Sequence, residues 1–186
     1  MNLRRILIPA VVSLTMLAMV AEARYVFVLP PSGSINPIMV GYNENLQPIG
    51  SVSVPAGANQ VLTSVTGDKA IIISQNGAAG VSFVNVVGGQ LSGAARTLSL
   101  DGLIPAAAAV LSPDGNRVVV VAGASPATLY VIDIATETFT ANGKTLIGGS
   151  PKDLVVSQDS RYAYLLGPGL LTVVELSTGA VLTQTG

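Results

Sequence analysis

The side chains of this chain that could do acid–base chemistry are three recurring aspartates. Asp68, Asp114 and Asp159 stand 46 and 45 positions apart along the sequence. Two carboxylates held close together can serve as general acid and general base. A regular spacing, however, predicts that the three occupy equivalent corners of neighbouring repeats and do not face one another. We therefore interpret them as structural.

The segment Asp114-Gly115-Asn116 could also begin a calcium-binding loop. Such a loop needs an oxygen ligand two positions beyond Asn116, where Val118 stands, and a glutamate at its twelfth position, which is missing here. An Asp-Gly pair between two apolar runs instead predicts a tight β-turn, with Gly115 supplying a positive φ angle.

Other reactive groups are scarce in the 186 residues. The sequence has no histidine and no cysteine, which removes the commonest general base, the usual zinc ligands and thiol nucleophiles. No Gly-x-Ser-x-Gly elbow occurs, and Gly77-Ala78-Ala79-Gly80 lacks the Lys-Ser or Lys-Thr of a phosphate loop. We predict no catalytic residue, no metal site and no cofactor. A formal net charge of −1 gives no reason to expect nucleic acid as a partner.

The remaining polar candidates lie in three loops, at residues 55–59, 101–105 and 148–153. Each loop precedes the first strand of a predicted unit, here called the inner strand. Asn59, Asp101, Lys152 and Asp153 are the candidate ligand-binding residues in these loops. The alternative is that all four are solvated turn residues.

A second polar set follows an apolar strand in each repeat. Asn85, Asp133 and Glu175 are predicted to accept backbone hydrogen bonds at the next turn, with Thr136 and Thr178 assisting the last two.

These side chains sit within a repeat of about 45 residues. Its clearest copies are 111–120 and 156–165, and an eroded copy spans 65–73. Each copy combines a strand end, a polar turn and a β-rich strand, and a second strand ending in Asn85, Asp133 or Glu175 follows in constant order. Repeats of 40–50 residues built from several short strands are typical of β-propeller blades.

We predict an all-β fold of about four blades of antiparallel sheet, with units at 24–57, 58–102, 103–149 and 150–186. The first unit lacks an inner strand. Ala106–Ala109 would favour helix by propensity, but its register matches the strand at 153–156, so we predict a strand there.

The run SPDGNRVVVV, then LYVIDIATET, then IGGSPKDLVVSQDSRYAYLL resembles the bacterial YVTN-type β-propeller repeat. The match is good over 103–186 and weak over 58–102, and the Ser-Pro-Asp-Gly turn is missing near Tyr25-Val26. The resemblance implies an exported, seven-bladed propeller that acts as a binding or scaffolding surface. Related blades also occur in lactonases and quinoprotein subunits, so the fold does not fix the activity.

Four units are few for a ring of that kind, since propellers typically have 4–8 blades. We expect an incomplete segment of a larger propeller whose gene continues past Gly186. The alternatives are a complete four-bladed ring and an open arc that dimerises. An open segment exposes sheet edges, so residues 24–186 alone are expected to be poorly soluble or to self-associate edge to edge.

The N-terminus predicts export. Arg4 and Arg5 precede a stretch without charge, 6–20, and Ala21-Glu22-Ala23 fits a cleavage site, so 1–23 is interpreted as a signal peptide. The alternative is an uncleaved anchor, for which the stretch is short of the ~20 residues that span a bilayer. The expected location is extracytoplasmic, periplasmic or secreted, with no stable membrane anchor after cleavage.

Two functions follow from these observations. The first is a non-enzymatic propeller that binds a protein or a cell-envelope ligand through its blade loops. The alternative is a lactonase-like or quinoprotein-like enzyme with a site at the axial mouth.

Overall fold

The computed structural model describes residues 25–30, 38–74, 80–101, 106–123 and 125–185. Within these ranges the chain forms strands and turns and no helix, which confirms the predicted all-β class. No helix in the described part is long and apolar enough to cross a membrane. The predicted signal peptide lies outside the described residues.

The strands form four antiparallel sheets in chain order. The first sheet contains β1 (Val26–Val28), β2 (Ile38–Tyr42) and β3 (Pro48–Ser53), and the second contains β4 (Ala58–Thr63), β5 (Lys69–Ser74), β6 (Gly80–Val87) and β7 (Gln90–Ser99). The third contains β8 (Ala106–Leu111), β9 (Arg117–Ala122), β10 (Ala127–Asp133) and β11 (Thr138–Ile147), and the fourth contains β12 (Asp153–Val156), β13 (Tyr162–Gly167), β14 (Leu170–Glu175) and β15 (Val181–Thr185). Each four-stranded sheet is a simple meander, as in a propeller blade.

The sheets stack face to face in the same order. Strand β9 shows how: Val118 and Val120 pack with Ile71 and Phe83 of the second sheet, while Val119 and its neighbours pack on the fourth. Because successive side chains of a strand point to opposite faces, a strand buried on both sides must be apolar at every position. The run Val118-Val119-Val120-Val121 meets that requirement, and all four residues are fully buried.

Two predicted irregularities are present. The first sheet has three strands, without an inner one, among the described residues. The alanine-rich segment at Ala106–Leu111 is strand β8, paired with β9 from Ala106↔Ala122 to Leu111↔Val118. Pairing with a buried β-branched strand outweighs the small helix preference of alanine, because propensity is a weak prior against tertiary contacts.

In the described part of the chain, the outer faces of the first and fourth sheets are exposed. The outer face of the first sheet exposes Val26, Val28 and Ile38 by 48 to 50 %. The outer face of the fourth sheet exposes Val155 and Leu166 by 50 % and 45 %. The described residues therefore form four antiparallel blades of a β-propeller, as the repeat predicted.

Candidate functional site

The turn between the first two strands of a unit, here called the inner turn, is built around a serine. Ser64, Ser112 and Ser157 each donate their backbone N–H to the carbonyl oxygen five residues later, at 3.0, 2.9 and 2.8 Å. Each serine Oγ accepts the backbone N–H of that same residue, at 3.0, 3.0 and 2.9 Å. This reciprocal bonding closes the turn and satisfies backbone groups that have no strand partner.

The serines correct the predicted alignment of the aspartates. Asp114 and Asp159 stand two residues after their serines, but Asp68 stands four after Ser64, and Thr66 occupies the equivalent place. The equivalence of Asp68 with the other two aspartates was therefore wrong by two residues. Asp68 nevertheless bonds within the same turn. Its carboxylate accepts hydrogen bonds from the hydroxyls of Ser64 at 2.8 Å and Thr66 at 2.5 Å.

All three aspartates accept hydrogen bonds from groups of their own turns. Asp114 accepts Ser112 Oγ at 2.5 Å and the N–H of Asn116 at 3.0 Å. Asp159 accepts Ser157 Oγ at 2.6 Å and the N–H of Arg161 at 3.1 Å. The structural interpretation of these carboxylates is consistent with this bonding, since each accepts hydrogen bonds from its own turn.

The third residue after the serine of each inner turn has a positive φ angle. Gly67 and Gly115 fill this place with φ values of 72° and 73°, as predicted for Gly115. In the last unit Ser160 takes this place with φ 58°. Ser160 is buried, and its Oγ accepts the backbone N–H of Asp114 from the preceding sheet at 2.9 Å. The strained residue therefore ties two blades together.

The turn between the third and fourth strands, here called the outer turn, meets the prediction in part. Asp133 Oδ1 accepts the N–H and the hydroxyl of Thr136 at 2.7 and 2.8 Å, and Glu175 Oε2 accepts the hydroxyl of Thr178 at 2.7 Å. The prediction for Asn85 was wrong: its Oδ1 accepts Lys69 Nζ at 2.9 Å. The turn after Asn85 is a short Gly-Gly turn without a threonine.

A buried ion pair at the outer turn was missed by the sequence reasoning. Glu137 Oε1 lies 2.6 Å from Lys69 Nζ of the second sheet, and the two side chains are 9 % and 15 % exposed. Arg96 approaches the other carboxylate oxygen at 3.7 Å. Glu137 adopts φ 54° where the equivalent residues, Gly89 and Gly179, have φ values of 77° and 71°. A glutamate at a glycine place in the repeat was the signal that could have revealed it.

The inner and outer turns lie at the same end of the sheets, here called the turn end. The backbone N–H groups of Val86, Ile134 and Leu176 in the outer turns donate to inner-turn carbonyls at 2.7 to 2.9 Å. Between the second and third sheets this end carries a cleft of about 210 Å³ lined by Thr66, Asp68, Lys69 and Asn116, among others. Asp68 Oδ1 and Lys69 Nζ are already paired within the protein.

The four predicted ligand-binding residues lie toward the opposite end, here called the mouth end. Asn59 in β4 is exposed, and Lys152 and Asp153 are exposed at the start of β12. Asp153 Oδ1 accepts the N–H of Leu154 at 2.8 Å. The inner strands adjoin one another here, since Gln60 Nε2 of β4 donates to the Ala109 carbonyl of β8 at 3.2 Å.

Asp101 is held at the outer side of its loop. Its carboxylate pairs with Lys144 of β11 at 2.7 Å, and its backbone N–H donates to Tyr130 Oη at 3.0 Å. The hydrogen bond to Asp101 raises the pKa of Lys144. The structure therefore sets Asp101 beside the outermost strand of the third sheet. The rest of this predicted loop, 102–105, lies outside the described residues.

A larger cleft of about 550 Å³ lies on the outer strand of the third sheet, lined by 139–146, Thr178 and Gly179. Strand β11 bulges within this segment, since Tyr130 pairs with Lys144 but Ile132 pairs with Phe139. Lys144 Nζ lies 4.8 Å from the Phe139 ring centroid, within the range of a cation–π contact. Among the described residues no group of three or more acidic, histidine or cysteine side chains could hold a metal ion.

The turn aspartates predict how stability depends on pH. Hydrogen bonds, above all from Thr66, Thr136 and Ser157 respectively, lower the pKa of Asp68, Asp133 and Asp159 below 3.8. Burial raises the pKa of Asp114, but hydrogen bonds led by Ser112 outweigh it and leave that pKa lowered too. A lowered folded-state pKa stabilises the fold fully above the unfolded value and is lost as pH falls through the folded value.

We expect the free energy of unfolding contributed by these turns to be constant from about pH 5 to 7 and to decline below about pH 4. With no histidine in the chain, no imidazole adds a slope between pH 5 and 8. Urea unfolding at pH 7, 5 and 3 measures this. The Asp133→Asn variant should lose less stability on acidification than the wild type, and an equal loss would contradict the assignment.

No protein-family model matches the chain, and no curated protein matches it in sequence. Solved structures do resemble it. A candidate 6-phosphogluconolactonase from Bacteroides fragilis NCTC 9343 is 16 % identical with a TM-score of 0.57, over 84 % of this chain and 52 % of that one. A candidate 6-phosphogluconolactonase from Bacteroides uniformis ATCC 8492 is 16 % identical with a TM-score of 0.61, over 83 % and 49 %.

Hydrazine synthase from Kuenenia stuttgartiensis has a TM-score of 0.60 at 13 % identity, over 87 % of this chain and 59 % of that one. The chain thus spans about half the length of the two candidate lactonases. Proteins of such different names share this architecture, because the fold provides a scaffold and the chemistry depends on the site. At these identities the similarity establishes the β-propeller fold alone.

Proposed function

We propose that this protein is an exported, non-enzymatic β-propeller module that binds a protein or a cell-envelope ligand through its mouth-end loops. The observation that carries the proposal is the division of polar side chains between the two ends. At the turn end, aspartates, serines and the Lys69–Glu137 pair bond to each other. At the mouth end, Asn59 and Lys152 are exposed, and their side chains make no hydrogen bond to the described residues.

Exposed polar groups at the ends of strands held by a rigid scaffold suit ligand binding. Lys152 and Asp153 are consecutive residues of opposite charge at the start of an inner strand, and Asn59 offers an amide at the equivalent end of the second sheet. Such groups can match a polar partner by hydrogen bonding and charge. The resemblance of 103–186 to the YVTN-type repeat, whose members are exported binding surfaces, supports the same proposal, as does the signal-like segment 1–23.

A lactonase-like enzyme is the second candidate. The observation that favours it is the structural similarity to two candidate 6-phosphogluconolactonases. Asp153, exposed at the start of an inner strand, is a carboxylate that such a site could use at the mouth end, whereas Asp101 is paired with Lys144 beside the outer strand. A quinoprotein-like site remains part of this alternative.

A binding assay tests the first candidate. The full chain should co-sediment with peptidoglycan sacculi or be retained on immobilised envelope proteins, and the triple variant Asn59→Ala, Lys152→Ala, Asp153→Ala should lose at least about tenfold in affinity, or about 1.4 kcal/mol. A control triple variant, Glu44→Ala, Asn45→Ala, Gln158→Ala, changes equally exposed residues at the turn end and should bind normally. Equal losses in both would contradict the proposal.

A turnover assay tests the second. Lactone and ester substrates are offered with Ca²⁺, Mg²⁺ or Zn²⁺ added, and we expect no turnover above the rate without protein. Metal-dependent turnover that is abolished by Asp101→Ala or Asp153→Ala would instead establish the enzyme.

A further inference from the structure

Three residues that depart from the repeat meet at the turn end, between the second and third sheets. Lys69 and Asn85 are paired directly across strands β5 and β6, and Glu137 approaches Lys69 from the outer turn of the third sheet. The equivalent residues of the other units are Arg117 and Tyr162 for Lys69, Asp133 and Glu175 for Asn85, and Gly89 and Gly179 for Glu137. Three departures at one point indicate that this place differs in chemistry from the other turns.

The contacts of Lys69 Nζ place an amine between an amide and a carboxylate. Nζ lies 2.9 Å from Asn85 Oδ1 and 2.6 Å from Glu137 Oε1. A lysine amine is a nucleophile once it has lost a proton, and a carboxylate in contact with it can accept that proton as a general base. A primary amide carries a nitrogen that can leave as ammonia. The equivalent pair of Arg117 and Asp133 lacks both reactants, because a guanidinium keeps its proton in proteins and a carboxylate has no amide nitrogen to release.

Packing holds the three groups together and limits their contact with water. The next cross-strand pair on the same face of the second sheet is Ile71 and Phe83, which are fully buried against the third sheet. The Cβ atoms of residues directly opposite each other in a sheet are about 4.5–5.5 Å apart, which is within the reach of the joined side chains of a lysine and an asparagine. Reactants held in contact in this way gain the rate advantage of an intramolecular reaction.

We propose that Lys69 and Asn85 form a spontaneous isopeptide bond, a covalent amide cross-link between strands β5 and β6, with Glu137 as the catalytic base. Glu137 Oε1 accepts a proton from the Lys69 ammonium group, and the neutral amine attacks Asn85 Cγ. The new Nζ–Cγ bond replaces the bond from Cγ to the amide nitrogen, which takes a second proton from Nζ and leaves as ammonia. The ammonia then takes the proton held by Glu137. One ammonium group and one primary amide thus become one secondary amide and one ammonium ion, with no further reactant.

The cross-link gives the second sheet a covalent tie in a chain that has no cysteine to form a disulfide. It closes the segment 69–85 into a loop and, like a disulfide, limits the conformations of the unfolded chain. The ion pair of Lys69 with Glu137 is the form of the protein before this reaction. The mass of a sample shows which of the two forms it contains.

Peptide mapping tests for the bond. The full chain is folded, incubated, denatured and digested with trypsin, which does not cut after an acylated lysine. Unreacted protein should give the peptides 25–69 and 70–96, because Lys69 is the one tryptic site between Arg24 and Arg96. We expect the incubated protein to give instead a single peptide, 25–96, lighter than its sequence by one NH₃. Fragmentation of that peptide should place the branch at Lys69 and Asn85.

Variants separate the roles of the residues, with dilution from urea starting the reaction and circular dichroism checking the β fold of each protein. Lys69→Arg keeps a cation beside Glu137 but lacks the amine, and should keep its full mass. Glu137→Gln keeps the size of the side chain and should slow the cross-link at least about 100-fold, because a positioned general base contributes about 10²–10⁴-fold. Lys144→Arg is the matched control and should react like the wild type, since Lys144 faces the exposed carboxylate of Asp101.

Each other outcome overturns the inference. Folded wild-type protein that keeps its full mass and is cut after Lys69 would show that no bond forms. A loss of NH₃ that persists in Lys69→Arg would come from another asparagine, such as Asn142, where the backbone nitrogen of Gly143 can displace the amide. Cross-linking of Glu137→Gln at the wild-type rate would show that Glu137 is not the base. The bond lies at the turn end, so ligand binding at the mouth end succeeds or fails separately.

Discussion

Replacing Glu137 with alanine is expected to lower the free energy of unfolding by about 3 kcal/mol. Lys69 would lose its partner at 2.6 Å while its side chain remains only 15 % exposed. Removing one member of a buried ion pair is costly because the other charge stays desolvated and uncompensated. Asn85 still accepts Lys69 Nζ at 2.9 Å, which limits the loss to the lower part of the usual range.

Urea unfolding of matched variants measures this loss. Asp101→Ala removes an ion pair of similar length, 2.7 Å, whose side chains are 45 % and 73 % exposed, and we expect a cost below about 1 kcal/mol. The double variant Lys69→Met, Glu137→Leu should recover most of the stability, because an apolar pair needs no compensation for buried charge. Equal losses in Glu137→Ala and Asp101→Ala would show that burial does not set the value of the Lys69 pair.

The Glu137→Gly variant separates the loss of the carboxylate from the relief of backbone strain at residue 137. A non-glycine residue at φ 54° is strained by roughly 1–2 kcal/mol, and glycine removes that strain together with the carboxylate. We therefore expect Glu137→Gly to be less destabilising than Glu137→Ala by about 1 kcal/mol. A larger loss than in Glu137→Ala would contradict the role of backbone strain.

Gly143→Ala is expected to be of similar severity, at about 3 kcal/mol. A Cβ atom at Gly143 would stand within contact distance of the backbone only: the nearest atom is the Val131 carbonyl oxygen, followed by the N and O of Thr140 at 2.8 and 2.9 Å. Backbone atoms held in the β10–β11 ladder cannot rotate away as a side chain can. The backbone of the bulge in β11 would therefore have to shift away from Val131.

Gly93→Ala is the matched control, in the bulge of β7. Gly93 has φ 75°, and a Cβ there would meet no atom within 4 Å, so the substitution carries only the conformational cost of roughly 1–2 kcal/mol. Chemical unfolding of the two variants compares a steric requirement for glycine with a conformational one. Equal losses would show that the close approach at Gly143 is relieved without cost.

The sequence by itself determined the strands and the local chemistry of the turns. Apolar runs such as Val118–Val121, bounded by Ser-Pro-Asp-Gly, predict a buried strand after a tight turn because both signals act within a few residues. The strands predicted at Ala106–Ala109 and at 153–156 are both present, as β8 and β12. Asp133 and Thr136 were predicted to bond because they are neighbours in one turn.

Tertiary structure decided the contacts between blades. Glu137 meets Lys69 across 68 positions and Asp114 meets Ser160 across 46, and neither distance follows from any local pattern. Only the hydrogen bonds of the inner turn show that Thr66, and not Asp68, is equivalent to Asp114 and Asp159. The sequence pattern does not reveal this, since a shift of two residues leaves an apolar alternation unchanged. Such residues meet because the sheets stack on one another. The stacking depends on how whole sheet faces pack, and the sequence of a single turn or strand does not specify that packing.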